Sequence, residues 1–124
     1  MPGVPPARYA YLGPAGTFAE AALRRVPAAE RAELAAAHSV PEALDAVRRG
    51  EVDAAMVPLE NSVEGSVSTT LDELASGPAL HIIREVLLPV SFALLARTGT
   101  TMDDVVTVVT HPHAEAQCRK WLRE

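Results

Sequence analysis

The fold prediction starts from the segment VPLENSVEGSV at residues 57–67. This segment continues the hydrophobic stretch Val52–Val57, which is typical of a buried strand, and places a carboxylate, a carboxamide and a hydroxyl directly after it. In an open α/β sheet, ligands bind at the carboxyl ends of the strands. Glu60 can donate or accept a proton, and Asn61 can bind a polar group through both its oxygen and its nitrogen. A polar loop that only closes a strand is the alternative interpretation.

Upstream of this segment the chain twice repeats a strand followed by a capped helix. Tyr9–Leu12 and Leu34–Ala37 have the composition of short strands. The capping-box patterns Thr17–Glu20 and Ser39–Glu42 open the helices that follow them. This β-α-β-α-β order predicts right-handed crossovers, and therefore an α/β fold with a mostly parallel sheet and flanking helices.

Downstream of residue 67 the pattern changes to a helix followed by several apolar stretches. Ser68–Leu74 is predicted to be helical. Leu80–Leu88, Val90–Ala96 and Val106–Thr110 are β-branched and apolar enough to predict strands. A last helix is predicted to open at His111-Pro112-His113. We therefore divide the chain into a flexible arm over residues 1–7, a first lobe over 8–78, and connecting strands with an incomplete second lobe over 79–124.

Composition and charge restrict the class of protein. The 124 residues are 48% hydrophobic, which is typical of one globular domain with a core. A net charge of −5 argues against nucleic acid as a partner, and no apolar run is long enough for a transmembrane helix. The single cysteine, Cys118, favours a reducing compartment. We expect a cytoplasmic protein that binds neither nucleic acid nor membrane.

The other polar clusters carry weaker signals. The turn at residues 13–17 is either an anion-binding helix entrance or an ordinary capped turn. His111 and His113 lack the spacing of a metal site, so we predict no metal and interpret His113 as a polar contact near a helix start. No nucleophile-elbow pattern surrounds Ser62, and Cys118 is interpreted as a core thiol.

Taken together, these motifs resemble the prephenate dehydratase family. The blocks that carry the resemblance, in the order of that family, are Gly13–Phe18, Val57–Ser62 with Gly65–Val67, Thr70–Asp72, Glu85, and Thr110–Ala114 with Gln117–Cys118. Each block is modest alone, but together they span nearly the whole chain. His113 is a departure, because the family often has glutamine after its His-Pro pair.

The resemblance implies a fold and an activity. The fold would be one lobe of a type II periplasmic-binding-protein-like domain plus part of a second lobe. The activity would be the decarboxylating dehydration of prephenate to phenylpyruvate in L-phenylalanine biosynthesis, without metal or cofactor. The family's Thr-Arg-Phe motif and its C-terminal ACT domain lie farther downstream and are absent from these residues. The chain also stops within a helical pattern at Arg119–Glu124, so we expect it to be part of a longer, active protein and inactive alone.

The resemblance also implies roles for individual residues. Glu60 and Asn61 are the candidate catalytic residues. The candidate substrate-binding residues are Thr17, Ser62, Thr70 and Gln117. Glu60 would serve as acid or orienting group, and acting as an acid would require burial or a nearby dianionic substrate to raise its affinity for a proton. The threonine of the downstream Thr-Arg-Phe motif is the competing proton donor.

Two further expectations concern function class and assembly. The alternative to an enzyme is a non-catalytic module of periplasmic-binding-like fold that recognises a small anion. Assembly is predicted from the strand Val106–Thr110 and from the apolar helix face that Ala114, Cys118, Trp121 and Leu122 would form. Because an uncovered strand edge beside an apolar face pairs readily with another chain, we expect a homo-oligomer.

Overall fold

The computed structural model describes residues 3–124. The first two positions of the predicted arm over residues 1–7 lie outside the described residues, and residues 3–7 form no helix or strand. Among the described residues, no helix combines the length and the apolar character needed to cross a bilayer.

A three-stranded parallel sheet lies at the centre of the structure. Its strands are β1 (Arg8–Leu12), β2 (Glu33–Ala37) and β3 (Ala54–Met56), in the order β2-β1-β3. Ala10 of β1 is in register with Ala35 on one side and with Ala55 on the other. The predicted mostly parallel α/β sheet is therefore confirmed, with β3 shorter than the predicted stretch Val52–Val57.

The helices between these strands begin where the capping patterns predicted. Helix α1 (Phe18–Leu23) follows the N-cap Thr17, and helix α2 (Val40–Arg48) follows the N-cap Ser39. In both, the N-cap hydroxyl accepts a hydrogen bond from the backbone amide three residues later. A short 3₁₀ helix over Pro27–Arg31 separates α1 from β2, because proline stops the helix after its last turn.

The core consists of two buried clusters that share the central strand. Because side chains alternate across a strand, Ala10 packs with Ala43 of α2, whereas its neighbour Tyr11 packs with Leu23 of α1. The buried hydrophobic residues all lie between Ala10 and Val52. The core of the described residues therefore lies within the predicted first lobe.

A small hairpin and a third helix follow the sheet. Strands β4 (Glu60–Asn61) and β5 (Gly65–Ser66) pair in antiparallel fashion, where the sequence indicated only a polar loop. Gly65 has a φ of 81°, a left-handed conformation that glycine adopts without strain at the end of a three-residue hairpin loop. Helix α3 spans Ser68–Ala75, which confirms the predicted helix over Ser68–Leu74.

Arg48 joins α3 to α2. Its side chain is only 10% exposed, and its Nη1 lies 2.8 Å from the Asp45 carboxylate. Its Nη2 donates to the Glu73 carbonyl at 2.7 Å, and its Nε donates to the Pro78 carbonyl at 3.2 Å. A cation therefore satisfies backbone carbonyls at and just beyond the C-terminal end of α3, where the helix dipole favours positive charge.

Three strand predictions are wrong for this structure. Leu80–Leu88, Val90–Ala96 and Val106–Thr110 contain no strand. Their composition suits a pleated surface, but a strand also requires a hydrogen-bonded neighbour, and the sheets formed by residues 3–124 do not include these segments. Their apolar side chains are largely exposed, as Val109 at 94% illustrates.

The last part of the chain forms helix α4 (Pro112–Arg123), as predicted from the His-Pro-His opening. His111 is its N-cap, with Nδ1 accepting a hydrogen bond from the His113 amide at 3.1 Å. No residue of α4 is buried against the rest of the described chain, and Trp121 is 54% exposed. The division of the chain at residue 78 stays a prediction.

Candidate active site

The segments that follow β1 and β3 lie at the same edge of the sheet. Tyr11 near the end of β1 is paired with Met56 at the end of β3. Because the two strands are parallel neighbours, the turn at residues 13–17 and the segment over residues 57–61 both leave the sheet at its carboxyl edge. This edge is where the sequence predicted a ligand site.

The turn at residues 13–17 is stabilised mainly by internal hydrogen bonds. The Thr17 hydroxyl donates to the Leu12 carbonyl at 2.9 Å and accepts from the Glu20 amide at 3.4 Å. Glu20 completes the capping interaction by accepting a hydrogen bond from the Gly16 amide at 2.6 Å. The Gly16 amide therefore donates to a carboxylate of the chain itself, which favours the capped-turn interpretation over an anion-binding helix entrance. The predicted contact of Thr17 with a substrate stays a prediction.

Glycine at position 13 is required by the approach of this turn to β2. The Gly13 amide donates to the Ala37 carbonyl at 2.8 Å. A Cβ atom at residue 13 would lie 2.8 Å from the Cβ of Ala36, which is closer than such atoms approach in proteins. The small residue thus allows the turn to pack directly on the neighbouring strand.

Glu20 makes the stability of this turn dependent on pH. The Gly16 amide and, next, the Arg24 guanidinium hold the pKa of the Glu20 carboxyl below its ordinary value of 4.5. A carboxyl whose pKa is lower in the folded protein contributes stability above its unfolded pKa and loses that contribution as the pH falls through the folded value.

We therefore expect Glu20→Gln to lower the melting temperature at pH 7 and to have progressively less effect as the pH falls below about 4.5. Melting curves of both proteins between neutral and acidic pH measure this difference. Glu30→Gln is the control, because Glu30 is exposed and makes no hydrogen bond or ion pair with the described residues. An equal loss of melting temperature at every pH would contradict the role assigned to the ionised Glu20 carboxylate.

Asn61 organises the loop of the hairpin. Its Oδ1 accepts hydrogen bonds from the amides of Val63 at 2.9 Å and Glu64 at 3.2 Å. The oxygen is therefore bound within the turn, and contact of Asn61 with a substrate stays a prediction. The Nδ2 amino group, a double donor, is the end that remains for an anionic ligand.

The other polar residues of the hairpin face solvent. The side chains of Glu60 and Ser62 make no hydrogen bond with residues 3–124, and both residues are exposed. The burial that would let Glu60 act as an acid is therefore not supplied by the described residues. Two surface depressions, of about 300 and 600 Å³, lie near β2 and near the 3₁₀ helix, and neither contains Glu60, Asn61 or Ser62. The hairpin is an open polar surface.

Thr70 holds the base of the hairpin. It is completely buried, and its hydroxyl donates to the Pro58 carbonyl at 2.6 Å. The adjacent Val67 amide donates to the Leu59 carbonyl at 2.8 Å. Direct contact of Thr70 with a substrate stays a prediction. The geometry favours a positioning role, in which the bond from α3 to Pro58 fixes residues 58–61 relative to this helix.

Replacing Thr70 by Val should destabilise the protein by about 1–3 kcal/mol, because the substitution keeps the shape but leaves the Pro58 carbonyl without its donor. Urea denaturation of wild type and variant measures the change in the free energy of unfolding. Thr69→Val is the matched control, since Thr69 lies in the same helix, is exposed, and removes the same hydroxyl. Equal midpoints for the two variants would contradict a positioning role for Thr70.

Helix α4 meets the hairpin through one polar pair. The Nδ1 atom of His113 lies 2.5 Å from Oε2 of Glu64. This confirms the predicted polar contact of His113. Gln117 is four residues beyond His113, so the two lie on the same face of α4. The predicted residues Asn61 and Gln117 are thus carried by two elements that touch, although no direct hydrogen bond joins them.

Comparison with known proteins decides the family. The family model described as prephenate dehydratase matches residues 9–124. The chain belongs to the prephenate dehydratase family. The match includes the turn after β1, the hairpin, α3 and α4, which together carry every candidate site residue.

Individual prephenate dehydratases are similar over the same range. The enzyme of Amycolatopsis methanolica is 56% identical over 117 residues, which are 94% of this chain and 38% of that protein. The enzyme of Mycolicibacterium vanbaalenii is 48% identical over 135 residues, covering 98% of this chain and 42% of that protein. The chain thus spans about two fifths of the length of these relatives.

A crystal structure of a prephenate dehydratase has the same fold. The enzyme from Arthrobacter aurescens, in complex with L-Phe, superposes with a TM-score of 0.82 at 53% identity. The superposition covers 94% of this chain and 38% of that one. The α/β fold and the prephenate dehydratase resemblance predicted from the sequence are both confirmed.

Sequence reasoning missed the contacts that connect the elements of this chain. The Thr70 bond to Pro58 spans 12 residues, and the Arg48 bond to Glu73 spans 25. Of the residues in these contacts, the sequence had singled out His113 as a polar contact near a helix start. The identity of its partner, Glu64, depends on the hairpin fold.

Proposed function

We propose that the protein to which this chain belongs converts prephenate to phenylpyruvate, with loss of water and carbon dioxide, in L-phenylalanine biosynthesis. The observation that carries the proposal is the family match over residues 9–124, which includes all candidate site residues. The enzymes of this family that resemble the chain at 48–56% identity are named prephenate dehydratases.

The chemistry requires little more than orientation and one proton. Prephenate is a dianion; as its ring carboxylate leaves as carbon dioxide, the electrons of that bond enter the ring and the ring hydroxyl departs with a proton as water. Aromatisation drives the reaction, so the protein must hold the dianion and place an acid beside the hydroxyl. Amide donors suit the carboxylates, and neutral groups hold them without requiring a buried charge.

The described residues supply donors for such a dianion. The Oδ1 atom of Asn61 is bound by the turn, whereas its Nδ2 group makes no hydrogen bond with residues 3–124 and can donate to a ligand. Ser62 adds an exposed hydroxyl on the same hairpin, and Gln117 adds a half-buried carboxamide on the face of α4 that meets it. Thr17 lies at the neighbouring turn, and Thr70 contributes by fixing residues 58–61.

The proton donor is one of two groups. Glu60 lies on the hairpin beside Asn61, but it is exposed among residues 3–124. The resemblance supplies a competing threonine in the downstream Thr-Arg-Phe motif. Either group would act at the ring hydroxyl, and in the second case Glu60 orients the substrate.

Turnover by the full-length protein tests the proposal. We expect the purified full-length protein to form phenylpyruvate from prephenate without added metal or cofactor. The alternative, a non-catalytic anion-binding module, would bind prephenate without consuming it. Calorimetric binding with no phenylpyruvate formed would therefore reject the enzyme and support the module.

We further propose a cytoplasmic homo-oligomer as the working form. Large apolar side chains in residues 80–124 are exposed, among them Ile83 at 81% and Leu95 at 88%. Such a surface is costly in water and is suited to contact with another part of the protein or a second copy. Light scattering of the full-length protein at micromolar concentration tests whether a second copy is bound. A monomer would contradict the proposed homo-oligomer.

A further inference from the structure

We propose that Glu64 and His113 form a latch that holds helix α4, and with it Gln117, over the hairpin that carries Asn61. In this role both are positioning residues, which act on the substrate through Asn61 and Gln117. The inference rests on the proposed function, because it explains how two separated elements of the chain become one substrate site.

The geometry places the latch between the two candidate binding groups. Glu64 follows Asn61 in the hairpin loop, and its amide donates to the Asn61 side chain at 3.2 Å. The Glu64 carboxylate contacts Nδ1 of His113, and Gln117 follows one helical turn later on the same face. A single residue therefore touches both the carboxamide of the hairpin and the helix that presents the second carboxamide.

The latch matters because little else holds α4 in place. No residue of this helix is buried. Across residues 3–124, the Glu64–His113 pair is the one hydrogen bond or ion pair that connects α4 to residues 3–77. Loss of the pair would remove the polar contact that fixes Gln117 relative to the hairpin, so substrate binding would have to order the helix.

The hydrogen bonds assign different protonation patterns to the two histidines. Nδ1 of His111 accepts the His113 amide, so this nitrogen carries no proton. Nδ1 of His113 faces a carboxylate, so this nitrogen carries one. The ring centroids are 5.0 Å apart. The two side chains thus have separate roles, His111 as the N-cap of α4 and His113 as the partner of Glu64.

Steady-state kinetics of the full-length protein with prephenate test the latch. His113→Ala and Glu64→Ala should each raise KM by about two- to fivefold, the range expected for a partly exposed ion pair, with kcat changed less than KM. The double variant should be no worse than either single variant, because both remove the same contact. Glu115→Ala, an exposed carboxylate in the first turn of α4, is the matched control and should leave KM unchanged.

His113→Gln separates the latch from a merely structural role. A glutamine amide can still donate to Glu64, so KM should stay near that of the wild type, whereas the alanine variants lose the contact. Hydrogen exchange of residues 112–123 gives a second measurement: exchange should accelerate in the two alanine variants and not in Glu115→Ala.

The outcomes are distinct. Absence of turnover by the wild type would reject the proposed function, and the hydrogen-exchange arm would still decide whether the pair holds α4. An active wild type whose alanine variants keep the same KM and the same exchange rates would overturn the latch. Additive effects in the double variant would also overturn it.

Discussion

The 124-residue chain on its own should form no detectable phenylpyruvate from prephenate, in contrast to the turnover that we propose for the full-length protein. The chain spans 38% of its Amycolatopsis methanolica relative. Its candidate site is an open surface, on which Glu60 and Ser62 are exposed to water. A site that does not exclude water weakens every electrostatic contact with the transition state, so orientation and proton delivery both fail.

The measurement compares the isolated chain with the full-length protein at equal concentration, after circular dichroism has shown that the isolated chain is folded. Expression in a host without its own prephenate dehydratase removes the main contaminant. Asn61→Ala in the isolated chain identifies the source of any signal, because contaminating activity would not respond to it. Phenylpyruvate formation that depends on Asn61 would refute the prediction.

In the full-length protein, Asn61→Ala and Glu60→Gln should each lower kcat/KM for prephenate by at least about tenfold, equivalent to roughly 1.4 kcal/mol of transition-state stabilisation. Asn61 loses the amide donor that we assign to a substrate carboxylate. Glu60→Gln removes a group that can give up a proton or orient the departing hydroxyl. Both residues lie in β4, at the carboxyl edge of the sheet.

Asn61→Asp distinguishes substrate binding from the structure of the loop. Aspartate retains an oxygen for the amides of Val63 and Glu64, so the turn is kept. It replaces the Nδ2 donor by a negative charge that repels a dianion, so we expect a loss at least as large as in Asn61→Ala. Val63→Ala controls for general disturbance, because this side chain is 58% exposed in the same loop. Wild-type kinetics in Asn61→Asp would remove Asn61 from the site.

Much of the structure over residues 8–78 was predictable because its signals are local. A threonine or serine hydroxyl three residues before a glutamate specifies a helix start within one turn of chain, and Thr17 and Ser39 both cap helices as predicted. Alternating strands and helices then leave few topologies other than a parallel sheet. One detail differed: the glutamates bond the amides of Gly16 and His38, one residue before the N-cap.

The candidate site was predictable in its members but not in its connections. Strand-end position and family resemblance pointed to Glu60, Asn61 and Gln117. The occupation of the Asn61 oxygen by the Val63 and Glu64 amides depends on how tightly the hairpin turns, which composition does not reveal.

The sequence by itself thus determined the α/β class, the helix starts and the family, because each of these follows from short-range patterns. Only the tertiary structure decided whether Val106–Thr110 is a strand, since a strand needs a partner to accept its hydrogen bonds. It also decided that Thr70 is buried with its hydroxyl bonded to the Pro58 carbonyl, and that Glu64 contacts His113, 49 residues away in the chain. Contacts between distant residues depend on packing, and packing is a property of the whole fold.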